Sequence, residues 1–166
     1  MRERYAERAL LPGGAVMREA TAHDLETILH HRRRMCEDMG HRDAAVLDAM
    51  VDDCRGILRR WLDEGVYRGW LVEREGAVVA GGGLIVSAWL PNAADTQGRR
   101  ATILNVYTEP RCRRQGLALA LMEWILIWCR DQGFQAVTLD ASADGRALYE
   151  SMGFRPTTQM RLDLSR

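Results

Sequence analysis

The stretch Glu109-Pro110-Arg111-Cys112-Arg113-Arg114-Gln115-Gly116-Leu117-Ala118 sets three arginines and a glycine directly ahead of a strongly apolar run. A basic, glycine-containing turn that opens a helix is an anion site in chemical terms. The first backbone N–H groups of a helix lack internal partners, and its dipole favours negative charge. The arginines add charge that the backbone lacks, and Gly116 carries no side chain to hold a ligand away from the main chain. The same residues also suit an exposed basic bend, so this window alone leaves both readings open. Two familiar phosphate loops are excluded. The chain has no GxxxxGK[ST], and Gly81-Gly82-Gly83 lies in a strand-like run instead of before a helix, which disfavours a nucleoside triphosphatase or a dinucleotide enzyme.

Other reactive residue types are less organised. His30 and His31 are adjacent, and neighbours on a helix point about 100° apart, so they do not converge on one ion. The run His30–Met35 reads as a solvated face, and no metal site is expected. Cys112 sits among arginines that would favour its thiolate, yet a nucleophilic cysteine needs a positioned histidine base, which the sequence does not supply. Trp124 and Trp128, four apart, read as core or dimer interface.

The elements that must position these groups follow from pattern. Residues 1–15 read as a charged arm joined by a turn at Pro12–Gly14, and the domain is expected over 16–166. A short strand follows. Thr21 and Asp24 resemble a capping box opening a helix to Met39, and Asp43 caps a second helix that stops at Gly65. The period then changes: residues 67–75 and 77–90 read as a hairpin about Gly76, 91–100 as a polar loop, and 101–108 as a strand. A helix from Leu117 closes at Gly133, a strand follows at 136–141, Asp144 leads a short helix ended by Gly153, and Met160–Leu164 alternates as a last strand. The mixed order predicts an α/β or α+β mixed sheet with helices on both faces.

Composition narrows the class. A chain of 166 residues, 47% hydrophobic, suits one domain with one sizeable core. The 23 basic and 23 acidic residues give zero net charge, which offers a nucleic-acid or anionic-membrane partner no support, so anion recognition must be local. Four scattered cysteines without CxxC, and no evident secretory signal, read as a reduced, cytoplasmic protein. The longest apolar stretch, 117–129, is interrupted by Glu123 and falls short of the roughly 18 to 20 residues a membrane span needs.

Taken together, Arg113-x-x-Gly116-x-Ala118 and the later Asp144, Ala147, Tyr149, Gly153 and Phe154 resemble the paired motifs of the GCN5-related N-acetyltransferase (GNAT) superfamily. The element order resembles that fold from about Val16 to Leu164: a central, mostly antiparallel sheet with helices on both faces. The resemblance implies transfer of an acetyl group from acetyl-CoA, without a metal, directly to the primary amine of a small molecule or peptide. It implies that the loop Arg113, Arg114, Gln115, Gly116, Leu117 and Ala118 holds the pyrophosphate. Val106, Tyr107 and Thr108 would pair with the pantetheine arm, and an amide near Leu104 to Val106, around Asn105, would polarise the thioester carbonyl.

Tyr149 is the expected acid for the departing thiolate, because a phenol with a reference pKa near 10 stays protonated at neutral pH. Asp144 stands where asparagine is more usual; it can cap the helix but has no amide hydrogen to donate to the cofactor. Some relatives place a glutamate where this chain has Thr102, and the Asn105 side chain cannot act as a base. Glu37 and Asp38, in the region expected to cover the acceptor, and Asp140 are the candidate bases, with a water relay as the default. The alternative is a GNAT-fold acyl-CoA sensor without turnover. The apolar breadth of helix 117–128 suits a homodimer as well as burial against the sheet.

Overall fold

A computed structural model describes residues 9–93 and 95–164. In chain order the elements are β1 (Ala9–Leu11), β2 (Ala15–Glu19), α1 (Leu25–Asp38), α2 (Ala44–Asp63), β3 (Tyr67–Arg74), β4 (Ala77–Ala88), β5 (Arg99–Thr108), α3 (Leu117–Asp131), β6 (Val137–Leu139) and α4 (Arg146–Ser151). The strands form one sheet in the order β1-β2-β3-β4-β5-β6, antiparallel throughout except for the parallel pair β5 and β6. The mixed, mostly antiparallel sheet expected from the sequence is thus present.

Helices cover both faces because the strands are apolar on both. Met17, Trp70, Val72 and Leu84 pack with Leu121, Met122, Ile125 and Trp128 of α3. On the other face Tyr67 and Leu71 pack with Leu25, Ile28 and Leu29 of α1 and Leu58 of α2. The alternation of Trp70 and Leu71 between these two clusters is the strand period feeding two cores. Trp128 belongs to the core, 5.8 Å from the Trp70 ring.

Local signals mostly hold. Asp43 accepts from the amides of Ala45 and Val46 at the start of α2. Glu75 and Gly76 both have positive φ, 51° and 78°, as a two-residue hairpin of matching twist requires. Three readings change. Residues 1–8 lie outside the described residues, and Ala9–Leu11 of the expected arm pair antiparallel with β2, where Leu11 finds partial burial against the core. Asp144 does not cap α4: its cap position is Gly145, whose amide donates to Ser142 Oγ. Met160–Leu164 is not a strand; every residue from 155 to 164 is exposed, and no neighbouring strand supplies a ladder for it.

The capping box forms with an addition. Thr21 and Asp24 satisfy each other's backbone across a short 3-10 turn that opens into α1. Asp24 also receives both terminal nitrogens of Arg18, at 2.9 and 2.7 Å, while Arg18 Nε donates to Glu73 at 2.6 Å. Burial pushes the Asp24 carboxyl up, but the bonds from Arg18 and Thr21 outweigh it and hold the group below its usual range. A carboxylate with a depressed folded pKa stabilises the fold above its unfolded pKa, and that contribution disappears as pH falls through the folded value. Asp24→Ala is expected to cost about 2 kcal/mol at neutral pH, with a shallower acid limb than wild type, read from urea denaturation at pH 7 and pH 3.

Candidate active site

Strand β5 pairs with β6 only over Ala101, Thr102 and Ile103. It continues to Thr108 with no strand beside it on that side among the described residues, so Leu104 to Thr108 border an open gap. The departure coincides with a bulge. Gly81 aligns with Tyr107 and Gly83 with Leu104, so Asn105 and Val106 together face Gly82. Asn105 takes up the extra residue at φ 58°, a conformation that asparagine tolerates better than most side chains.

The three glycines opposite are required by crowding. A Cβ on Gly81 would lie 2.8 Å from Leu71 and 3.0 Å from His31 Nδ1; on Gly82 it would lie 3.1 Å from Leu121, and on Gly83 2.4 Å from the Arg68 carbonyl. Helices from both faces therefore close directly onto the bulge.

Beneath it lies a polar cluster. Arg32 Nη1 donates to Asn105 Oδ1 at 2.9 Å, and Asn105 hydrogen bonds to the fully buried Tyr67. Burial pushes the Tyr67 phenol up to about 12, against the Asn105 bond and the Arg32 charge. Arg32 Nε is buried without a partner, as is Thr108 Oγ1 at the far end of the gap. His31 is buried against Tyr107, ring centroids 5.0 Å apart. Burial, then repulsion from His30, hold it down to about 4, with Glu109 opposing. The solvated face expected for His30–Met35 is therefore corrected: His31 is core and Arg32 reaches the bulge. The polar run hid this, because the apolar stripe Leu25, Ile28, Leu29 continues into His31 and Arg32 by helical spacing alone.

Beyond Thr108 the chain makes the loop that enters α3. Arg114 and Gly116 both have positive φ, 61° and 80°. Gly116 is the cap residue of α3, with no side-chain capping bond, so the amides of Leu117, Ala118 and Leu119 have no helical acceptor. A Cβ on Gly116 would meet nothing within 4 Å, so glycine is there for its left-handed backbone and for the open space above it. Gln115 is braced by Arg74 at 2.5 Å and by the Arg111 carbonyl at 3.1 Å. Arg113 ties the loop down, its Nε donating to the Thr108 carbonyl at 2.9 Å and its Nη2 to Asp38.

Those contacts occupy the candidate carboxylates. Asp38 is paired with Arg113, and Glu37 lies between Arg33, at 3.1 Å, and Arg34. Asp140 and Asp144 are exposed beyond β6, and Ala147 is exposed on α4. Thr102 shares a 3.1 Å hydroxyl contact with Thr138 across β5 and β6. Tyr149 is half-buried, edge-on to Phe154 at 5.9 Å, and burial alone raises its phenol above 10. Cys112 is buried beneath the loop as a free thiol. Among the described residues no group of three His, Cys, Asp or Glu side chains could hold a metal, and no helix is long and apolar enough to cross a membrane.

Comparison with known proteins agrees with this geometry. Residues 27–154 match the Acetyltransferase (GNAT) family. N-acetyltransferase 8 of Homo sapiens is 33% identical over 113 residues, 66% of this chain and 48% of the relative. The chain thus spans about half the length of that relative. The uncharacterized N-acetyltransferase YjgM of Escherichia coli (strain K12) is 29% identical over 87% of this chain and 84% of its own. The crystal structure of a GCN5-related N-acetyltransferase from Ralstonia eutropha JMP134 superposes with a TM-score of 0.86 at 37% identity, covering 92% of this chain and all of that one. A predicted acetyltransferase from Clostridium acetobutylicum, solved with acetyl-CoA, gives 0.83 at 23% identity, over 90% of this chain and 96% of its own.

The buried imidazole makes the site sensitive to acid. His31 binds its proton more weakly folded than unfolded, so its contribution is complete above about pH 6.5 and is lost as pH falls toward 4. His31→Phe is expected to flatten the denaturation midpoint over that window, and His30→Gln, which removes the neighbouring repulsion, is expected to make the wild-type slope shallower without abolishing it.

Proposed function

The chain belongs to the Acetyltransferase (GNAT) family, and from that premise we propose that it transfers the acetyl group of acetyl-CoA directly to a primary amine. One observation carries the reading. The gap along Leu104–Thr108 runs from the Asn105 bulge into the uncapped N-terminus of α3, so one strand leads from a polar pocket to an anion-binding loop.

The residues fit an acyl-CoA ligand. The unobstructed space over Gly116 and the free amides of the α3 start suit the pyrophosphate such a molecule offers, and Thr108 Oγ1, buried without a partner at the end of β5, leaves a polar atom unsatisfied nearby. When bound, acetyl-CoA supplies the activated acetyl thioester. The amides of Arg114 to Ala118 hold the pyrophosphate, with the Arg114 side chain adding charge. Arg113 acts by fixing the loop to Thr108 and Asp38. The backbone of Val106, Tyr107 and Thr108 aligns the pantetheine arm. An amide between Leu104 and Val106, presented by the bulge at Asn105, polarises the thioester carbonyl. Asp144 and Ala147 border the site on the α4 side, where Ala147 leaves room for close approach.

Tyr149 holds a proton at neutral pH and gives it to the departing thiolate. Removal of the amine proton falls to water, because Glu37 and Asp38 are committed to arginines and serve to shape the acceptor side. The acceptor is an amine of a small molecule or peptide, and the reaction takes place in the cytoplasm. Residues 16–166 carry the activity, with 1–15 as an extension that adds an edge strand.

The occupied carboxylates also favour a second reading, an acyl-CoA sensor without turnover. The two separate in one experiment. Calorimetric titration of acetyl-CoA is expected to show binding to wild type and none to Gly116→Trp. In a free-thiol assay over an amine panel, Tyr149→Phe is expected to lower kcat about 10²- to 10⁴-fold, with acetyl-CoA affinity unchanged. Binding without thiol release from any amine selects the sensor, and absence of binding overturns both.

A further inference from the structure

Three arginines follow one another on α1, and their charges are met differently. Arg33 lies against Glu37 and Asp48, and Arg34 against Glu37. Arg32 instead turns toward the sheet, where its Nη1 donates to Asn105 Oδ1 at 2.9 Å. Among the described residues no carboxylate lies within ion-pairing distance of it. The acids that border the gap are engaged elsewhere: Glu37 with Arg33 and Arg34, Asp38 with Arg113, and Glu109 beside His30 and Tyr107. The two weaker acids near Arg32 do not replace them. Burial pushes the Tyr67 phenol up to about 12 and raises the Cys36 thiol, so both keep their protons at neutral pH.

The guanidinium is also short of acceptors. It carries five N–H donors in a planar fork, and the Asn105 bond uses one. Nε is buried without a partner, and Nη2 donates to no described residue. These two nitrogens lie side by side on an edge that the Asn105 bond leaves unused. Together they form a fork that can receive both oxygens of one carboxylate. Holding Asn105 requires only a neutral donor, so the positive charge is not explained by that bond. A partly buried charge without a counter-charge is costly, and a negatively charged guest removes the cost.

The place of the fork limits the guest. Asn105 is the bulge residue at which the gap begins, so Arg32 stands one hydrogen bond and one short side chain from that backbone. A molecule that reaches the acyl group with its amine and Arg32 with its carboxylate needs only a short carbon spacer between the two.

We propose that Arg32 determines acceptor specificity, binding the carboxylate of an amino acid whose amine takes the acetyl group. The inference rests on the transferase reading and narrows it from primary amines to amino acids. In the transfer the amine nitrogen bonds to the acetyl carbon and the thioester carbon–sulfur bond breaks. The amine proton leaves to water, the thiolate takes a proton from Tyr149, and solvent restores that proton to the phenolate. The carboxylate stays ionised on Arg32 throughout.

The test compares α-amino acids, β-alanine and γ-aminobutyrate, each with its carboxamide, by thiol release from acetyl-CoA. The carboxamide of an α-amino acid loses its amine proton more readily, so a preference for the acid has to come from binding. Wild type is expected to favour at least one acid over its carboxamide about 10- to 100-fold in kcat/KM, carried by KM. Arg32→Gln, which keeps a donor for Asn105, is expected to bring that ratio to about one, mainly by raising KM for the acid. Arg32→Lys, with the charge but not the fork, is expected to fall between, and it supplies the ratio if the glutamine variant fails to bind acetyl-CoA in a calorimetric folding check. Thiol release without preference for any acid overturns the proposal and leaves the transferase reading standing. A preference that survives Arg32→Gln, or a variant that lowers kcat on both partners with the ratio unchanged, also overturns it, the latter by assigning Arg32 to the support of Asn105 alone. If no acceptor releases thiol, the same acids are titrated into the CoA-saturated protein. Binding that Arg32→Gln abolishes then supports the carboxylate site while the transferase reading falls, and absence of binding overturns the proposal.

Discussion

Strand β5 must satisfy its backbone on two sides, and it does so on only one. Against β4 it pairs along nearly its whole length, while against β6 pairing stops at Ile103. The peptide groups from Leu104 to Thr108 are left to water or to a ligand, because a buried unpaired amide costs as much as a lost hydrogen bond. The Asn105 bulge fixes where this happens. Gly81, Gly82 and Gly83 let Leu71, His31, Leu121 and Tyr67 approach so closely that a Cβ would clash at Gly81 and Gly83 and crowd its neighbours at Gly82. The glycine run therefore serves the site without touching a phosphate, and it accounts for the density of packing on both faces of the sheet at one point.

Charge is organised around the same point. A chain with no net charge still carries Arg32, Arg33, Arg34, Arg113 and Arg114 in this region, and most are spent on structure. Arg33 and Arg34 hold Glu37, and Arg113 holds Asp38 while capping the Thr108 carbonyl. These pairs fasten the end of α1 to the end of β5 and to the loop before α3. What remains for an anion is mainly backbone: the uncapped amides of α3, set by the left-handed residues Arg114 and Gly116. Oriented dipoles need no counter-ion when empty, so such a site is compatible with a neutral surface.

This division explains what could be read from the sequence. Turn and cap signals are local, and Thr21, Asp43, Gly76, Gly116 and Gly133 stand where pattern put them. The loop before α3 and the Tyr149 helix were legible because their motifs are contiguous. The polar cluster of Arg32, Asn105 and Tyr67 was not, since its members lie far apart in sequence and meet only through a bulge that no local rule announces. Nor was the commitment of Glu37 and Asp38, because an ion pair across elements leaves no trace in spacing. Gly145 in place of Asp144 as the cap position of α4, its amide held by Ser142 Oγ, shows a one-residue error of the ordinary kind.

The C-terminal strand is a different matter. Alternation in Met160–Leu164 states that one face requires burial, and nothing more. Periodicity is a property of a segment, whereas a β-ladder is a property of a pair, and the sequence does not specify which chain supplies the partner. In this fold β6 has no outer neighbour among the described residues, and the exposed apolar face of Met160–Leu164 lies in the same molecule, joined to it through α4 and residues 155–159. The pattern and the absent strand are therefore consistent. An alternating segment takes up a ladder only when an edge is brought beside it, so the same five residues carry the strand pattern and still lie outside the sheet.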